Sequence, residues 1–352
     1  MHTANPESPA IFRKMRDPAP SLLPAAISAC AQVSASLRQP DFVQLPHEDP
    51  ASVREELLQG LLATPAFTSP KYLYDALGSR LFEAITELPE YYPTRTEAAI
   101  FAAHATTMAA LQPARATLVD LGAGNCEKAA RLFGAFRPQR YVAIDISVDF
   151  LRKSLASLQA QFPALAMLGV GLDFSNSLTL PPQAGGGPNV LFYPGSSIGN
   201  FTPEQALSFL QRARAACHGG GLLIGVDLVK PREVLEPAYD DALGVTAVFN
   251  RNLLSHLNRL VGTDFNLSDW QHVAFFNTGK SRIEMHLQAQ QAVRVRWSDG
   301  ERHFAKGERI HTENSYKWRQ ADFSALLKAA GFTHSQAWTD ERGWFAVFWA
   351  QA

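Results

Sequence analysis

The chain has 352 residues, of which 46% are hydrophobic and 18% charged, so it can bury one large or two medium cores and is not a disordered chain. Its 32 basic and 33 acidic residues nearly cancel, so the charge favours neither nucleic acid nor a membrane surface as a partner. The three cysteines are scattered, which argues against a disulfide framework and favours a reducing, cytoplasmic setting.

The first part of the chain is predicted to be an extension followed by helices. Residues 1–45 are predicted to form an N-terminal extension with little fixed structure. Helical spacing of apolar residues appears in VREELLQGLL and again in SRLFEAITELPEYYPTRTEAAIFAAHATTMAAL. In the second segment, Pro89 and Pro93 are predicted to break the pattern into two helices.

Residues 117–230 alternate between short apolar segments and helical ones. The apolar segments are TLVDL, YVAIDIS, LAMLGVGLDF, NVLFY and GGLLIGVDLV. Helical segments separate them: EKAARLFGAF, VDFLRKSLASLQAQF and TPEQALSFLQRARAAC, the last with Thr202 as its N-cap. Near-continuous apolar strands alternating with helices predict an α/β fold with a Rossmann-like, doubly wound parallel sheet.

The alternation stops after Lys230. PREVLEPAYDDALGVTAVFNRNLLSHLNRLVG is predicted to be helical, and SRIEMHLQAQ and QAVRVRW to be strands. A helix in ADFSALLKAAG follows, and THSQAWT and WFAVFWA are strands joined by a turn at DERG. The sheet should therefore end in a C-terminal antiparallel hairpin.

RIHTENSYKW, residues 309–318, has no single apolar face. If this stretch is extended, Glu313 and Ser315 share one side, and Thr312, Asn314 and Tyr316 share the other. A carboxylate beside a hydroxyl needs either solvent or a polar ligand, because both groups are costly to bury without hydrogen bonds.

LVDLGAGNCEK places a glycine turn between the first predicted strand of the sheet and a helix. Gly122 allows close approach of a ligand to the backbone, but Glu127 stands where a dinucleotide fingerprint needs glycine. Asp145 ends the second strand, where an acid accepts hydrogen bonds from ribose hydroxyls. Asp173 and Phe174 end the third, where they could bind and stack on an adenine. Together these residues favour S-adenosylmethionine over NAD.

Six motifs, in chain order, resemble the histidine-specific Nα-methyltransferases of ergothioneine biosynthesis: YLYDALGSRLFEAITELPEYYPTRTEAAIF, LVDLGAGNCEKAARLF, YVAIDIS, FYPGSSIGNF, AYDDALGVTAVFNRNLLSHLNR and HTENSYKW. The resemblance implies a class I methyltransferase core at 46–230 and 319–352, with an inserted α+β substrate-binding domain at 231–318. It also implies that S-adenosyl-L-methionine methylates the α-amine of L-histidine three times, to give the betaine hercynine.

The resemblance assigns roles to individual residues. Those implied to hold the methyl donor are Gly122, Lys128, Asp145, Asp173 and Phe174. Those implied to bind the substrate are Tyr91, Asn200, Tyr239, Met285, Glu313, Asn314 and Ser315, with Asn200 and Tyr239 on the carboxylate and Glu313 and Ser315 on the imidazole. Tyr74 and Tyr91 are implied to lie at the reacting amine.

These assignments have a chemical rationale. A neutral imidazole has one donor and one acceptor nitrogen, and an ionised carboxylate beside a hydroxyl can satisfy both. Tyr74 and Tyr91 could hold the growing ammonium through cation–π attraction. Tyr74 is a candidate proton acceptor or relay, although a neutral tyrosine is a poor base and positioning could be its whole role.

Other interpretations of the sequence stay open. One is an N-methyltransferase of another amino acid, such as an indole amino acid, and a second is a non-catalytic S-adenosylmethionine-binding regulator. An NAD oxidoreductase is disfavoured by the incomplete fingerprint. The ten histidines show no metal-binding spacing, so no metal is expected, and His303 and His311 are predicted to be surface residues. We expect a monomer that acts on a small molecule.

Overall fold

The computed structural model describes residues 38–45, 49–175 and 177–352. All of them belong to one unit, Leu37–Ala352, and most of the expected N-terminal extension lies outside the described residues. The helices are α1 Pro50–Leu62, α2 Ala76–Thr86, α3 Tyr92–Ala109, α4 Glu127–Ala130, α5 Phe133–Phe136, α6 Val148–Gln161, α7 Pro203–Ala216, α8 Arg232–Leu235, α9 Val245–Val261 and α10 Gln320–Ala329.

The strands fall into three sheets. They are β1 Asp41–Gln44, β2 Ala66–Phe67, β3 Thr117–Leu121, β4 Arg140–Asp145, β5 Ala166–Gly171, β6 Asn189–Tyr193, β7 Gly221–Asp227, β8 Trp270–Asn277, β9 Arg282–Ala289, β10 Val293–Trp297, β11 Gly300–Phe304, β12 Arg309–Tyr316, β13 His334–Thr339 and β14 Phe345–Gln351. Among the described helices, none is long and apolar enough to cross a bilayer.

The largest sheet has eight strands in the order β1-β5-β4-β3-β6-β7-β14-β13. The first six are parallel, whereas β14 runs antiparallel to β7 and β13 antiparallel to β14. Every residue of β3, β6 and β7 is buried, because helices cover both faces of the sheet. The predicted doubly wound sheet with a C-terminal antiparallel hairpin is confirmed.

Several local predictions need correction. Residues 41–44 were assigned to the extension, but they form β1, which pairs with β5 and hydrogen-bonds along its edge. Pro93 does not break a helix: it lies in the first turn of α3, where the missing N–H costs nothing. The single helix predicted over EKAARLFGAF is two four-residue helices, α4 and α5.

The region after Lys230 is less helical than predicted and contains a second sheet. In the segment 231–262, which was predicted to be helical, the helices are limited to the short α8 and the long α9, which are separated by turns. The four-stranded second sheet has the order β2-β12-β9-β8, and β10 and β11 form a separate antiparallel ribbon. The sequence prediction missed β2, β8 and β11. Since β2 is formed by Ala66–Phe67, the second sheet also uses residues from outside 231–318.

RIHTENSYKW lies where the two sheets meet. It forms β12, with a bulge between His311 and Glu313, and the following Trp318 bridges to Leu228 just beyond β7. The 3-10 turn Ser197–Asn200 that follows β6 packs against β12. The fold therefore brings the polar side chains of β12 next to the carboxyl ends of the parallel strands.

Candidate active site

A cavity of about 1520 Å³ opens at the carboxyl ends of β3, β4, β5 and β6. This edge of a doubly wound sheet is where such folds bind ligands. The volume exceeds the roughly 300–1,000 Å³ of a single-ligand pocket, so two small molecules fit side by side. All five residues predicted to hold the methyl donor line it: Gly122, Lys128, Asp145, Asp173 and Phe174.

The glycine turn after β3 wraps around the carboxylate of Asp145. Gly122 and Gly124 have φ angles of 72° and 52°, which favour glycine. The Gly124 and Ser147 backbone N–H groups donate to Asp145 at 2.9 and 2.8 Å. Burial raises the pKa of Asp145, and these N–H groups oppose that rise. Each carboxylate oxygen keeps a lone pair for a ribose hydroxyl.

Asp173 and Phe174 form the next part of the cavity wall. Asp173 accepts hydrogen bonds from the Ser175 backbone N–H at 2.9 Å and the Ser175 hydroxyl at 2.6 Å. The Phe174 ring meets Tyr193 edge to face, with centroids 5.7 Å apart. Two strand-end carboxylates, an aromatic ring and a glycine turn fit the ribose and adenine of S-adenosylmethionine.

Lys128 is held at the cavity wall by a residue that the sequence analysis missed. Its Nζ lies 2.8 Å from Glu97 Oε2, and Glu97 Oε1 accepts a hydrogen bond from the Gly195 N–H at 2.7 Å. Glu97 is only 1% exposed, in the middle of α3. Nothing in its sequence neighbourhood distinguishes it from a helical surface glutamate, so only the fold reveals the pairing.

A second pocket of about 50 Å³ adjoins the large cavity, and Tyr74, Tyr91 and Asn200 line both. The other predicted substrate residues that line it are Tyr239, Met285, Glu313 and Ser315. Asn314 does not line this pocket but the large cavity, because alternate residues of a strand face opposite sides. A volume this small accepts part of a ligand, so a substrate here must extend into the large cavity.

Glu313 is buried in the small pocket without a partner for one of its oxygens. Its side chain faces Met285 across the β12–β9 pair, the residue is 9% exposed, and Oε2 has no hydrogen bond. Burial raises the pKa of Glu313 to about 7, and Lys317 opposes the rise. An unpaired buried carboxylate is costly. Its presence beside a pocket indicates a ligand that supplies an N–H donor.

Ser315 belongs to a buried polar network. Its Oγ lies 2.7 Å from the Tyr239 hydroxyl and accepts a hydrogen bond from Lys317 Nζ at 2.7 Å. Lys317 also donates to Tyr239 at 3.0 Å and pairs with Asp227 at 2.8 Å. Asp227 lies in β7, Tyr239 lies in the turn before α9, and Lys317 directly follows β12. Only the fold brings these three residues together.

Asp227 connects this network to a second buried ammonium. Lys230 pairs with Asp227 and donates to the Tyr92 hydroxyl at 2.9 Å, and Tyr92 donates to Asp227 at 2.7 Å. Burial alone would raise the pKa of Asp227, but Lys317 and Lys230 hold it below its ordinary value. The three charged groups therefore stabilise one another behind the small pocket.

Aromatic rings enclose the junction of the two cavities. The Tyr74 ring packs edge to face against Phe82 and Phe249, each with centroids 5.5 Å apart, and Tyr91 packs against Tyr239 at 6.2 Å. Burial is the main cause that raises the pKa values of Tyr74 and Tyr91 well above the ordinary tyrosine value. Both phenols stay neutral at physiological pH, so they act as hydrogen-bond donors and aromatic surfaces. Phe82 and Phe249 also line the small pocket, although neither carries a local sequence signal for a site residue.

Glu284, His286 and His311 come together on the other face of the second sheet. Their potential metal-ligating atoms lie within 4.8 Å of one another, a grouping that sequence spacing did not predict. His311 is partly buried and stacks on His286 with centroids 4.7 Å apart, so the prediction of a surface position is wrong for His311. Arg282 already pairs with Glu284 at 2.6 Å. We assign no metal here, because the two histidine rings stack face to face instead of pointing their ring nitrogens at one ion.

The fold and the site define a class I S-adenosylmethionine-dependent methyltransferase. The defining features are the doubly wound sheet with its antiparallel hairpin, and the glycine turn beside carboxylates at strand ends. The sequence profile of a family described as "Histidine-specific methyltransferase, SAM-dependent" matches residues 53–352. The chain belongs to this family.

Curated relatives agree with this family. The chain is 42% identical to a histidine N-alpha-methyltransferase of Mycolicibacterium smegmatis and 41% identical to one of Mycobacterium tuberculosis. Each match covers 84% of this chain and 94% of the relative. It is also 31% identical to ergothioneine biosynthesis protein 1 of Neurospora crassa, over 76% of this chain and 31% of that longer protein. The predicted family, enzyme class and methyl donor are confirmed.

Proposed function

We propose that this enzyme transfers three methyl groups from S-adenosylmethionine to the α-amino nitrogen of L-histidine and forms hercynine, a step of ergothioneine biosynthesis. The names of its relatives support the substrate and the pathway. The observation that carries the proposal is the unpaired carboxylate of Glu313 in a pocket beside the donor cavity. Histidine supplies the ring N–H that this carboxylate lacks.

The proposal places each part of histidine against groups that match its chemistry. The imidazole occupies the small pocket between Glu313, Ser315 and Met285. The carboxylate faces Asn200 and the Tyr239 hydroxyl, while the amine lies at the junction of the two cavities. This arrangement agrees with a small pocket that accepts only a side chain and opens into a larger one.

The same groups provide selectivity for histidine. An indole has one ring nitrogen and is larger than an imidazole, so it would leave Glu313 or the Ser315 hydroxyl without a partner. Sites that hydrogen-bond a substrate reject analogues lacking the group by factors on the order of 10⁴. This argues against the rival in which an indole amino acid is the substrate.

S-adenosylmethionine supplies an electrophilic methyl group when it is bound, and Gly122, Lys128, Asp145, Asp173 and Phe174 would hold it. The protein's part is to orient a deprotonated amine, which contributes several kcal/mol by proximity alone. Tyr74 and Tyr91 stay neutral at physiological pH, and a neutral phenol is a poor base, so we assign the removal of the amine proton to neither of them. Their rings favour the growing cation through cation–π attraction. Methylation stops at three because a quaternary nitrogen has no lone pair.

We also propose the division of the chain that the sequence suggested, with 46–230 and 319–352 as the methyltransferase core and 231–318 as the substrate-binding part. Residues Ala66–Phe67 add an edge strand to the sheet of the substrate-binding part. A monomer and a cytoplasmic location are consistent with this proposal, and size-exclusion chromatography with light scattering tests the first.

Histidine binding should depend on pH through Glu313. This carboxyl, with a pKa of about 7, is ionised above that pH and protonated below it. We expect the KM for histidine to rise as the pH falls through about 7, because the protonated carboxyl is an uncharged and therefore weaker acceptor for the ring N–H. Steady-state rates at saturating donor, measured as a function of pH, give this acid limb of the pH profile. In Glu313→Gln the KM should depend less on pH in this range. If the pH dependence is unchanged, it arises from the substrate's own imidazole instead.

Incubation with S-adenosylmethionine and a panel of amino acids, followed by mass spectrometry, tests the proposed function. We expect histidine alone to gain up to three methyl groups, and fragmentation should place them on the α-amine. Methylation of tryptophan or tyrosine in preference to histidine would favour the other-substrate rival. Donor binding by calorimetry without methylation of any amino acid would favour the regulator.

A further inference from the structure

We infer that Lys317 is a positioning residue that makes the Ser315–Tyr239 hydroxyl pair a hydrogen-bond donor toward the substrate, so that the pocket selects neutral imidazole with its N–H facing Glu313. This inference rests on the proposed function and deepens it. Lys317 reaches the substrate only through the two hydroxyls, which it contacts directly.

Lys317 is held in one place by three acceptors. The residue is 3% exposed, and its Nζ donates to Ser315 at 2.7 Å, to Tyr239 at 3.0 Å and to Asp227 at 2.8 Å. An ammonium has three N–H donors and no acceptor. All three donors are therefore committed, and the ammonium cannot turn toward the pocket.

The Ser315 and Tyr239 hydroxyls have one proton left for a hydrogen bond to the substrate. Ser315 and Tyr239 each accept from Lys317, and they lie 2.7 Å apart, so one of their two protons forms the bond between them. The remaining proton has no acceptor in the network. When Tyr239 donates to Ser315, this proton lies on the Ser315 hydroxyl and faces the ring, and the substrate carboxylate takes its hydrogen bond from the Asn200 amide. Because the ammonium engages both oxygens, an incoming ring N–H is disfavoured at this side and a ring lone pair is favoured.

The charges behind the pocket support the same polarity. Lys317 and Lys230 share one carboxylate, Asp227, so these three groups together carry one excess positive charge. An ionised Glu313 balances that charge. A cationic imidazolium would add a further positive charge beside this cluster. The other titratable groups that face Glu313 are the neutral phenols of Tyr74, Tyr91 and Tyr239.

Lys317→Met tests the inference, with Lys230→Met as its matched control. Both variants remove an ammonium from Asp227, but only Lys317 contacts Ser315 and Tyr239. We expect Lys317→Met to raise the KM for histidine about 10- to 100-fold while the Kd for S-adenosylmethionine changes less than twofold. Lys230→Met should change neither by more than about threefold. Equal increases in KM in both variants would overturn the inference.

The pH profile separates positioning from a merely structural role. Without the Lys317 charge, the Glu313 carboxylate is less stabilised, so the acid limb of kcat/KM should move upward by about one pH unit. In Lys230→Met the limb should move much less, because Lys317 and not Lys230 is the ammonium that acts on the Glu313 carboxyl. An unmoved limb in Lys317→Met contradicts the inference.

A double-mutant cycle tests whether Lys317 acts through the hydroxyl. In a Ser315→Ala background, Lys317→Met should cost less than about a third of its effect in the parent. An equal cost in both backgrounds contradicts the inference.

If Lys317→Met does not fold, Lys317→Gln, which keeps a neutral N–H donor, should give a smaller rise in KM and the same upward shift of the limb. Failure of the parent enzyme to methylate histidine would instead refute the proposed function.

Discussion

Glu313→Ala should lower kcat/KM for histidine by about 100-fold, because the substrate then loses a charge-assisted hydrogen bond of roughly 1.5–3 kcal/mol. The cavity left by the carboxylate should also admit larger rings. The ratio of kcat/KM for histidine to that for tryptophan should therefore fall by a similar factor. Steady-state kinetics with both amino acids at saturating donor measure the two effects.

Glu313→Gln is the matched control for this prediction. The amide keeps the volume and an acceptor oxygen but loses the charge, so its loss of kcat/KM should be smaller, about 10-fold. The donor Kd should stay unchanged in both variants, since Glu313 does not line the large cavity. Parental kcat/KM for histidine in Glu313→Ala would show that the imidazole does not bind at this carboxylate.

Asp227→Ala should destabilise the fold by about 3–5 kcal/mol, because it leaves two buried ammonium groups without their shared carboxylate. Asp227 is 1% exposed, and both of its oxygens are paired with buried partners. Urea unfolding monitored by circular dichroism, analysed for the shift in midpoint at constant slope, measures the loss.

An exposed ion pair provides the comparison for Asp227. Glu301 pairs with Arg294 at 2.8 Å on the surface ribbon, and Glu301→Ala should cost no more than about 1 kcal/mol. Similar losses for the Asp227 and Glu301 variants would mean that the buried network adds little to stability. A selective loss at Asp227 would show that the charges behind the substrate pocket also hold the two sheets together.

Much of the fold is predictable from local pattern. The strands β3, β4, β5, β6 and β7 are near-continuous apolar segments, and all of them except β5 are followed by a segment with helical spacing. These signals are strong because helices cover both faces of the sheet. The glycine turn and the acids at the ends of β4 and β5 are also predictable, because a ligand-binding edge needs small and polar residues at strand ends.

The rest of the site depends on long-range contacts that leave no local signal. Glu97 has the sequence pattern of a helical surface residue, but it is buried against Gly195, about 100 residues away. Lys317 has the pattern of a strand-end lysine, but it pairs with the buried Asp227, about 90 residues away. The edge strand β1 was also missed, because pairing with β5 and not its own four-residue pattern places it in the sheet. Such residues become functional candidates only when the fold brings their charges together.

A crystal structure of the enzyme with L-histidine and S-adenosylhomocysteine tests the central claim most directly. The account predicts one ring nitrogen within about 2.7–3.2 Å of the Glu313 carboxylate, the other beside the Ser315 hydroxyl, and the α-amine between Tyr74 and Tyr91, facing the donor sulfur. An imidazole bound elsewhere in the cavity, with Glu313 still unpaired, would contradict it.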